Sequence, residues 1–324
     1  MHTLRERNSL RMNNSVNLFF ACDDGYVPFL AVTLHSIKEN ASKNRKYNIR
    51  ILNTGIREDY KNRLLDNLCD ESFEISFPDI SNEINKIGEK LHTRDYYSKS
   101  TYYRLFIPAL YPELDKALYL DCDIVLCSDV AELYDVDLGE NLVGAIADSF
   151  VSAVDRLHGY VMKRIGVDTP RDYFNAGVLL MNLKEMRNFG FEEKFIELLG
   201  KVTFTVAQDQ DYLNVICGAR RSVIGYEWNC MPGYTGALPS SPKLIHYNID
   251  SKPWHKEGVE YADVFWENSD ASCFACEIRS IKEEYADAEK SVQETFNLID
   301  VAEAEAGDEA ENMRIKKEIL SVLG

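Results

Sequence analysis

The chain has 324 residues, 45% of them hydrophobic and 27% charged, the balance of a soluble globular protein with room for one large domain and an appendage. Its formal net charge of −17 excludes the broad basic surface that nucleic-acid binding requires. No stretch reaches the ~18 apolar residues of a membrane span, no signal-peptide core is present, and the eight cysteines therefore read as reduced thiols.

Residues 1–15 open polar and basic (MHTLRERNSLR), with Met12 as a second start, and are expected to form a disordered extension. VNLFFA (16–21) predicts a buried strand, and Leu30, Leu34, Ile37 and Ala41 then recur at helical spacing. NIRIL (48–52) predicts a second strand, residues 57–68 a helix with Tyr60, Leu64 and Leu68 on one side, and FEISF (73–77) a third strand. Apolar runs at 117–120, 142–147, 177–182 and 243–247 are expected to extend the same sheet. Strands alternating with helices predict one Rossmann-like α/β domain over 16–280, with a mixed, mainly parallel sheet covered on both faces.

In such sheets ligands collect at the carboxyl ends of strands. The first strand ends in ACDDGY (21–26), and ALYLDCDIVL (117–126) breaks its apolar run at Asp121 and Asp123. YFNAG (173–177) sets Asn175 and Gly177 beside a strand, and LIHYN places His246 near another strand end. In an extended chain Asp121 and Asp123 face one way and Cys122 the other. Burying two unpaired carboxylates is costly; a solvated turn avoids the cost, and a divalent cation offsets it. There is no G-x-G-x-x-G and no G-x-x-x-x-G-K-[ST], so a nucleotide bound here is held by its base and by a metal on its phosphates. Cys273 and Cys276 form a single C-x-x-C without the second half of a zinc site.

ACDDGYV, TYYRL, LYLDCDIVL, YFNAGVLLMNL, QDQDYLN and HYNIDSKPWH occur in the order seen in family 8 glycosyltransferases, and the chain resembles that family over about residues 16–260. The resemblance implies a GT-A fold, a UDP-sugar donor (UDP-glucose or UDP-galactose), Mn2+ or another divalent cation, and transfer with retention of anomeric configuration. It makes Asp121, Asp123 and His246 the metal ligands, an imidazole with two carboxylates suiting Mn2+, and Lys252 the lysine on the diphosphate. Ala21 and Asp23 fall on the wall that reads uracil and ribose. Arg104, Cys122, Asn175, Ala176, Gly177, Asp209 and Gln210 fall around the donor. Among the catalytic positions, Gln210 is the side chain nearest the anomeric carbon, Asp209 an acceptor for sugar hydroxyls, and Asp211 a carboxylate behind them. A neutral amide is a poor nucleophile. Departure and attack on the same face of the sugar are therefore expected, with the leaving phosphate helping to deprotonate the acceptor.

Taken singly, these residues have plainer readings. Asp23 and Asp24 suit a helix cap, His246 a core strand, and QDQDYLN the acidic first turn of a helix. Arg104 suits a surface ion pair, and Lys252-Pro253-Trp254 an anchored loop. Their joint order carries the enzymatic reading. One departure is Ile249, which stands where many family members have a small residue three positions after the histidine.

Residues 281–311 hold eleven Asp or Glu against two Lys, which disfavours anionic lipid. Leu298, Ile299, Val301 and Ala302 give the segment an amphipathic side, so 281–324 is expected to be an acidic helical tail, serving oligomerisation or standing as a solvated face. The expected function is hexosyl transfer to a saccharide or other hydroxyl acceptor, as in lipopolysaccharide or other cell-surface glycan synthesis. The expected place is the cytoplasm, near the inner face of the membrane and with weak or no association to it. A metal-dependent nucleotidyltransferase is one alternative, though it needs neither QDQD nor HY…KPWH. An inactive nucleotide-sugar-binding scaffold is another, expected to have lost a metal ligand. Acceptor contacts are expected from 93–100 and 149–172, with Tyr96, Tyr97, Tyr160 and Tyr173 placed to stack on sugar faces.

Overall fold

A computed structural model of the chain describes residues 14–87, 91, 99–234, 239–285 and 288–324. The expected extension, apart from its last two residues, lies outside the described residues, as do Tyr96 and Tyr97.

The first strand, β1 (Ser15–Ala21), pairs in parallel with β2 (Lys46–Leu52), which pairs in parallel with β3 (Phe73–Ser76). On its other side β1 pairs in parallel with β4 (Ala117–Leu120). The chain then leaves this sheet at Asp121–Asp123 for a short strand, β5 (Ile124–Leu126), and returns as β6 (Val143–Ala147), β7 (Phe174–Met181) and β8 (Arg221–Val223). The order is β3-β2-β1-β4-β7-β6-β8; β7 runs antiparallel to β4 and β6, and β6 and β8 are parallel. The sheet is thus mixed and mainly parallel. The run 243–247 does not join it. Its strand β9 (Leu244–His246) pairs antiparallel with β5, Ile124 facing His246, because the turn at Asp121–Asp123 carries β5 off the main sheet and gives it a free edge.

Period-two alternation supplies both cores. Leu18, Phe20, Leu118, Leu120 and Leu180 fill one face, and Phe19, Tyr119 and Leu179 the other. Helices α1 (Val27–Asn40) and α2 (Glu58–Leu68) bury Leu30, Leu34, Ile37, Leu64 and Leu68 against the first face. Thr33 of α1 sets its hydroxyl 3.0 Å from the carbonyl of Cys122 and 2.8 Å from that of Ile124, so α1 holds the Asp121–Asp123 turn in place. The second face is covered by α3 (Ser149–Ala153), α4 (Asp155–Tyr160) and α5 (Asp209–Cys217), with a single π-turn over Val161–Ile165.

The C-terminal segment forms α6 (Ala288–Gly307) and α7 (Glu309–Leu323). Leu298, Ile299, Ala302, Ala306, Ile315 and Val322 enter the second core. Gly159 of α4 allows close approach, since a Cβ there would lie 3.2 Å from Cβ of Ala306. Arg156 pairs with Asp300 at 2.7 Å and Glu303 at 2.5 Å, so acidic residues of α6 meet basic ones of the domain. The apolar side of this segment therefore packs into the domain's core.

Candidate functional site

The strand ends meet in one pocket of about 190 Å3. Ala21 closes β1, Asp121–Asp123 follow β4, Asp148 follows β6, and His246 closes β9; all line the pocket. Because β7 runs antiparallel to β4, its first residues, Asn175–Gly177, arrive beside the end of β4, where the Asp121 amide donates to the Gly177 carbonyl at 2.8 Å. Asp209 and Gln210 come from the first turn of α5 and Lys252 from the loop after β9.

Asp121, Asp123 and His246 each offer one ligand atom, all lying within 4.8 Å of one another. Nε2 of His246 stands 3.3 Å from Asp123 Oδ1 and 3.8 Å from Asp121 Oδ2. The tautomer follows from a chain of hydrogen bonds that begins at a backbone donor. The Gly177 amide donates to Asn175 Oδ1 at 2.9 Å, so that oxygen is an acceptor. Asn229 must then present Nδ2 to it, at 3.1 Å, which turns Asn229 Oδ1 toward His246 Nδ1 at 2.9 Å. Nδ1 carries the proton and the Nε2 lone pair faces the two carboxylates, the arrangement a metal-binding imidazole needs. The site is also cradled. A Cβ on Gly177 would sit 2.4 Å from His246 Cε1 and 2.6 Å from Asp121 Oδ2, so only glycine fits. Two hard carboxylates and an imidazole in this cradle fit a divalent cation such as Mn2+.

Positive charge surrounds these groups. Lys252 donates to Asp123 Oδ2 at 2.5 Å and to the Tyr247 carbonyl at 3.0 Å. Burial by itself would raise the Asp123 carboxyl, but the Lys252 ammonium beside it holds it well below the usual carboxylate range. Arg104 is buried and bridges Asp121 Oδ1 at 3.0 Å and Asp209 Oδ2 at 3.1 Å, with its guanidinium 4.2 Å from the centre of the Tyr119 ring. Burial pushes the Asp209 carboxyl up to about 6; Arg104 opposes the shift and Asp121 adds to it. Gln210 is fixed at both ends of its amide. Oε1 accepts from the Ala176 amide at 2.8 Å, and Nε2 donates to Asp148 Oδ2 at 3.1 Å.

The residues expected around the donor are brought together here: Ala21, Asp23, Arg104, Asp121, Cys122, Asp123, Asn175, Ala176, Gly177, Asp209, Gln210, His246 and Lys252 all line the pocket. Asp23 does not cap α1, whose N-cap is Tyr26 without a side-chain cap; its Oδ1 accepts from the amides of Gly25 and Tyr26 at 3.1 and 3.3 Å in the turn before the helix. Cys122 turns its thiol away, toward the Ala21 carbonyl at 3.3 Å. Asp211 is not among the lining residues. It is fully buried and accepts from the hydroxyls of Tyr160 and Tyr173 at 2.8 and 2.7 Å and from the Ala207 amide at 3.0 Å. One helical residue past Gln210, it points into the core. Tyr160 and Tyr173 are correspondingly buried, and their hydroxyls are committed to Asp211. Ile249 keeps the backbone form of a glycine, with φ of +54°.

Two residues escaped sequence reasoning. Asp148 accepts from Asn175 Nδ2 at 3.0 Å and from the Val151 amide at 2.9 Å, and so unites the start of β7, α3 and Gln210. The strand-end rule that selected Asp121 and Asp123 applies equally to Asp148, the first residue after β6. Asn229 lies in a loop without periodic pattern, and nothing in its neighbourhood marks it.

Comparison with known proteins agrees with this geometry. Residues 17–258 match the family model of glycosyl transferase family 8. A protein of Haemophilus influenzae (strain ATCC 51907 / DSM 11121 / KW20 / Rd) that carries a glycosyltransferase name is 30% identical over 256 residues, covering 76% of this chain and 74% of its own. The lipopolysaccharide 1,2-glucosyltransferase of Escherichia coli (strain K12) is 31% identical over 192 residues, covering 53% of this chain and 55% of its own. Among solved structures, the galactosyltransferase LgtC, crystallised with donor and acceptor sugar analogs, superposes with a TM-score of 0.66 and 29% identity, covering 79% of this chain and 96% of that one. The sheet order, the strand-end site and the match over residues 17–258 lead to one conclusion: the chain belongs to glycosyl transferase family 8 and has the α/β GT-A fold.

Proposed function

We propose that the protein transfers a hexose from UDP-glucose or UDP-galactose to a hydroxyl of a saccharide or other acceptor, with Mn2+ as cofactor and with retention of anomeric configuration. Its place would be cell-surface glycan synthesis on the cytoplasmic side of the membrane. The observation that carries this reading is the convergence of Asp121, Asp123 and His246, with Lys252 and Arg104 beside them, at the strand ends of a family 8 fold. The glucosyltransferase and galactosyltransferase names of the relatives support the choice of donor. Among the described residues no helix is long and apolar enough to cross a membrane.

Asp121, Asp123 and His246 would hold the cation, which when bound supplies Lewis-acid charge to a leaving diphosphate. Lys252 adds a second positive charge for the same leaving group. Arg104 fixes Asp121 and Asp209 relative to each other, and Asp209 accepts hydrogen bonds from the hydroxyls of the donor sugar. Gln210, locked between Ala176 and Asp148, presents an amide rather than a nucleophile to the anomeric carbon. Same-face substitution follows, the departing phosphate oxygen taking the acceptor proton as the new glycosidic bond forms. Proton NMR of the product formed from an α-linked UDP-sugar tests this, with hydrolysis serving where no acceptor is supplied. An α-anomer as the first product supports the reading; a β-anomer, or a sugar trapped covalently on wild-type Gln210, overturns it.

A further inference from the structure

The pocket also has apolar walls beside the polar groups described above. Beside Asp148 and Gln210 its walls are Phe150, Val151, Leu157, Val161, Val206 and Leu298, which come from α3, α4, the π-turn, the loop before α5, and α6. Their side chains are almost wholly buried, Leu298 being the most open at 9%. The rings of Tyr160 and Tyr173 complete this part, but both hydroxyls are turned to Asp211. A sugar placed among these walls would leave its own hydroxyls without partners, a loss that specific sites avoid. An apolar group has no hydroxyls to strand there and takes its own surface out of water.

Leu298 lies outside the family match, which ends at residue 258, so this wall is supplied by the chain's own C-terminal helix. That helix is held in place by its core residues and by the pairs of Arg156 with Asp300 and Glu303. The wall is thus a built part of the pocket and continuous with the donor part.

From these observations we infer that the acceptor carries an alkyl or aryl group next to its attacking hydroxyl, and that the apolar walls closed by Leu298 receive that group. The inference rests on the transferase reading above. It excludes an acceptor that is polar sugar on every side of the reacting hydroxyl. Reaction of such an acceptor is ordinary glycosyl transfer. The bond from the anomeric carbon to the UDP oxygen breaks, the bond to the acceptor oxygen forms, and the acceptor proton leaves on UDP.

The test uses the full chain, Mn2+, a panel of UDP-sugars, and primary n-alkanols from methanol to octanol as minimal acceptors. The ratio of alkyl glycoside to free sugar, per mole of alkanol, is measured for each chain length. Burial of each added methylene is worth roughly threefold to fourfold, so the ratio should rise steeply to an optimum chain length. Leu298→Phe should move that optimum to a shorter alkanol and Leu298→Ala to a longer one. A ratio that is flat with chain length in the wild type overturns the inference while leaving the transferase reading intact. An optimum that stays fixed in both variants overturns it as well. If no UDP-sugar is consumed with or without alkanol, the transferase reading fails, and the inference falls with it.

Discussion

Gly177 and His246 are packed so closely that a Cβ on the glycine would stand 2.4 Å from Cε1 of the imidazole. The same Cβ would meet Asp121 Oδ2 at 2.6 Å, so one added carbon would press on two of the three groups proposed to bind metal. Gly177→Ala should cost ~1–3 kcal/mol of stability through overpacking. It should also weaken Mn2+-dependent UDP binding at least tenfold, roughly the loss seen when ligand orientation fails. Thermal melts and calorimetric titration check the two parts; a variant that binds UDP with Mn2+ as wild type does would show that the cradle has no role.

The hydrogen-bond chain from Gly177 to His246 makes a second prediction. Asn229 accepts the Nδ1 proton of the ring at 2.9 Å and is itself oriented by Asn175. Asn229→Leu removes that acceptor without touching a ligand. Mn2+ affinity, followed by the electron paramagnetic resonance of the free ion, should fall by about 10–100-fold. Asn229→Asp keeps an acceptor for Nδ1 but loses the Nδ2 donor to Asn175 Oδ1, so it should recover only part of the loss; wild-type Mn2+ affinity in Asn229→Leu would mean that the tautomer is set elsewhere.

Asp211 should give stability a pH dependence. Burial pushes its carboxyl up to about 7, although Tyr173, Tyr160 and the Ala207 amide all donate to it. In the unfolded chain an Asp titrates near ~3.9. Between these values the folded chain holds a proton that the unfolded chain does not, so stability falls as pH rises, by ~1.4 kcal/mol per unit. The contribution is largest below about pH 4 and is lost as pH passes 7. In urea melts, wild type should lose ~2–3 kcal/mol between pH 5 and pH 7 relative to Asp211→Asn. Parallel behaviour of the two proteins would contradict the assignment.

Most strands and the carboxylates at their ends were legible from local patterns, whereas Arg104, Asp209, Gln210 and Lys252 entered the candidate site only through the family resemblance. VNLFFA and ALYL alternate between two cores, and the chain is forced to turn where their apolar runs meet Asp23, Asp121 and Asp123. β8 was not legible, since Arg221–Val223 is a short edge strand with no apolar period. Nor was the partner of β9, because which edge an LIH run joins depends on where β5 has been carried. Asp211 was read as a carboxylate behind Asp209 and Gln210, and helix geometry puts it there. QDQD places three polar residues in one helical turn, but adjacent helical positions diverge by ~100°, so Asp209 and Gln210 reach the pocket and Asp211 enters the core. Asp148 was within reach of the strand-end rule; Asn229 was not.

Ile249 occupies a left-handed backbone form, φ +54°, that a β-branched residue adopts at a cost of ~1–3 kcal/mol. Glycine carries no such cost there, whereas alanine retains most of it. Ile249→Gly should therefore be more stable than Ile249→Ala, the reverse of the usual order, in which glycine is worse by ~0.5–1 kcal/mol. At Ile245, buried in β9, alanine should be the better tolerated of the two, with Ile245→Ala costing ~2–5 kcal/mol. Chemical melts of the four variants decide it, and a stability of Ile249→Ala above that of Ile249→Gly would remove the strain argument.

If Asp121, Asp123 and His246 form a metal site that holds the diphosphate of a nucleotide sugar, UDP binding must depend on the cation. Calorimetric titration of UDP into the full chain, with Mn2+ and then with EDTA, tests it most directly, with Asp123→Asn as the paired variant. Binding is expected with Mn2+, with at least a tenfold loss in EDTA and no response to Mn2+ in Asp123→Asn. UDP binding of equal strength with Mn2+ and with EDTA in the wild type would contradict it.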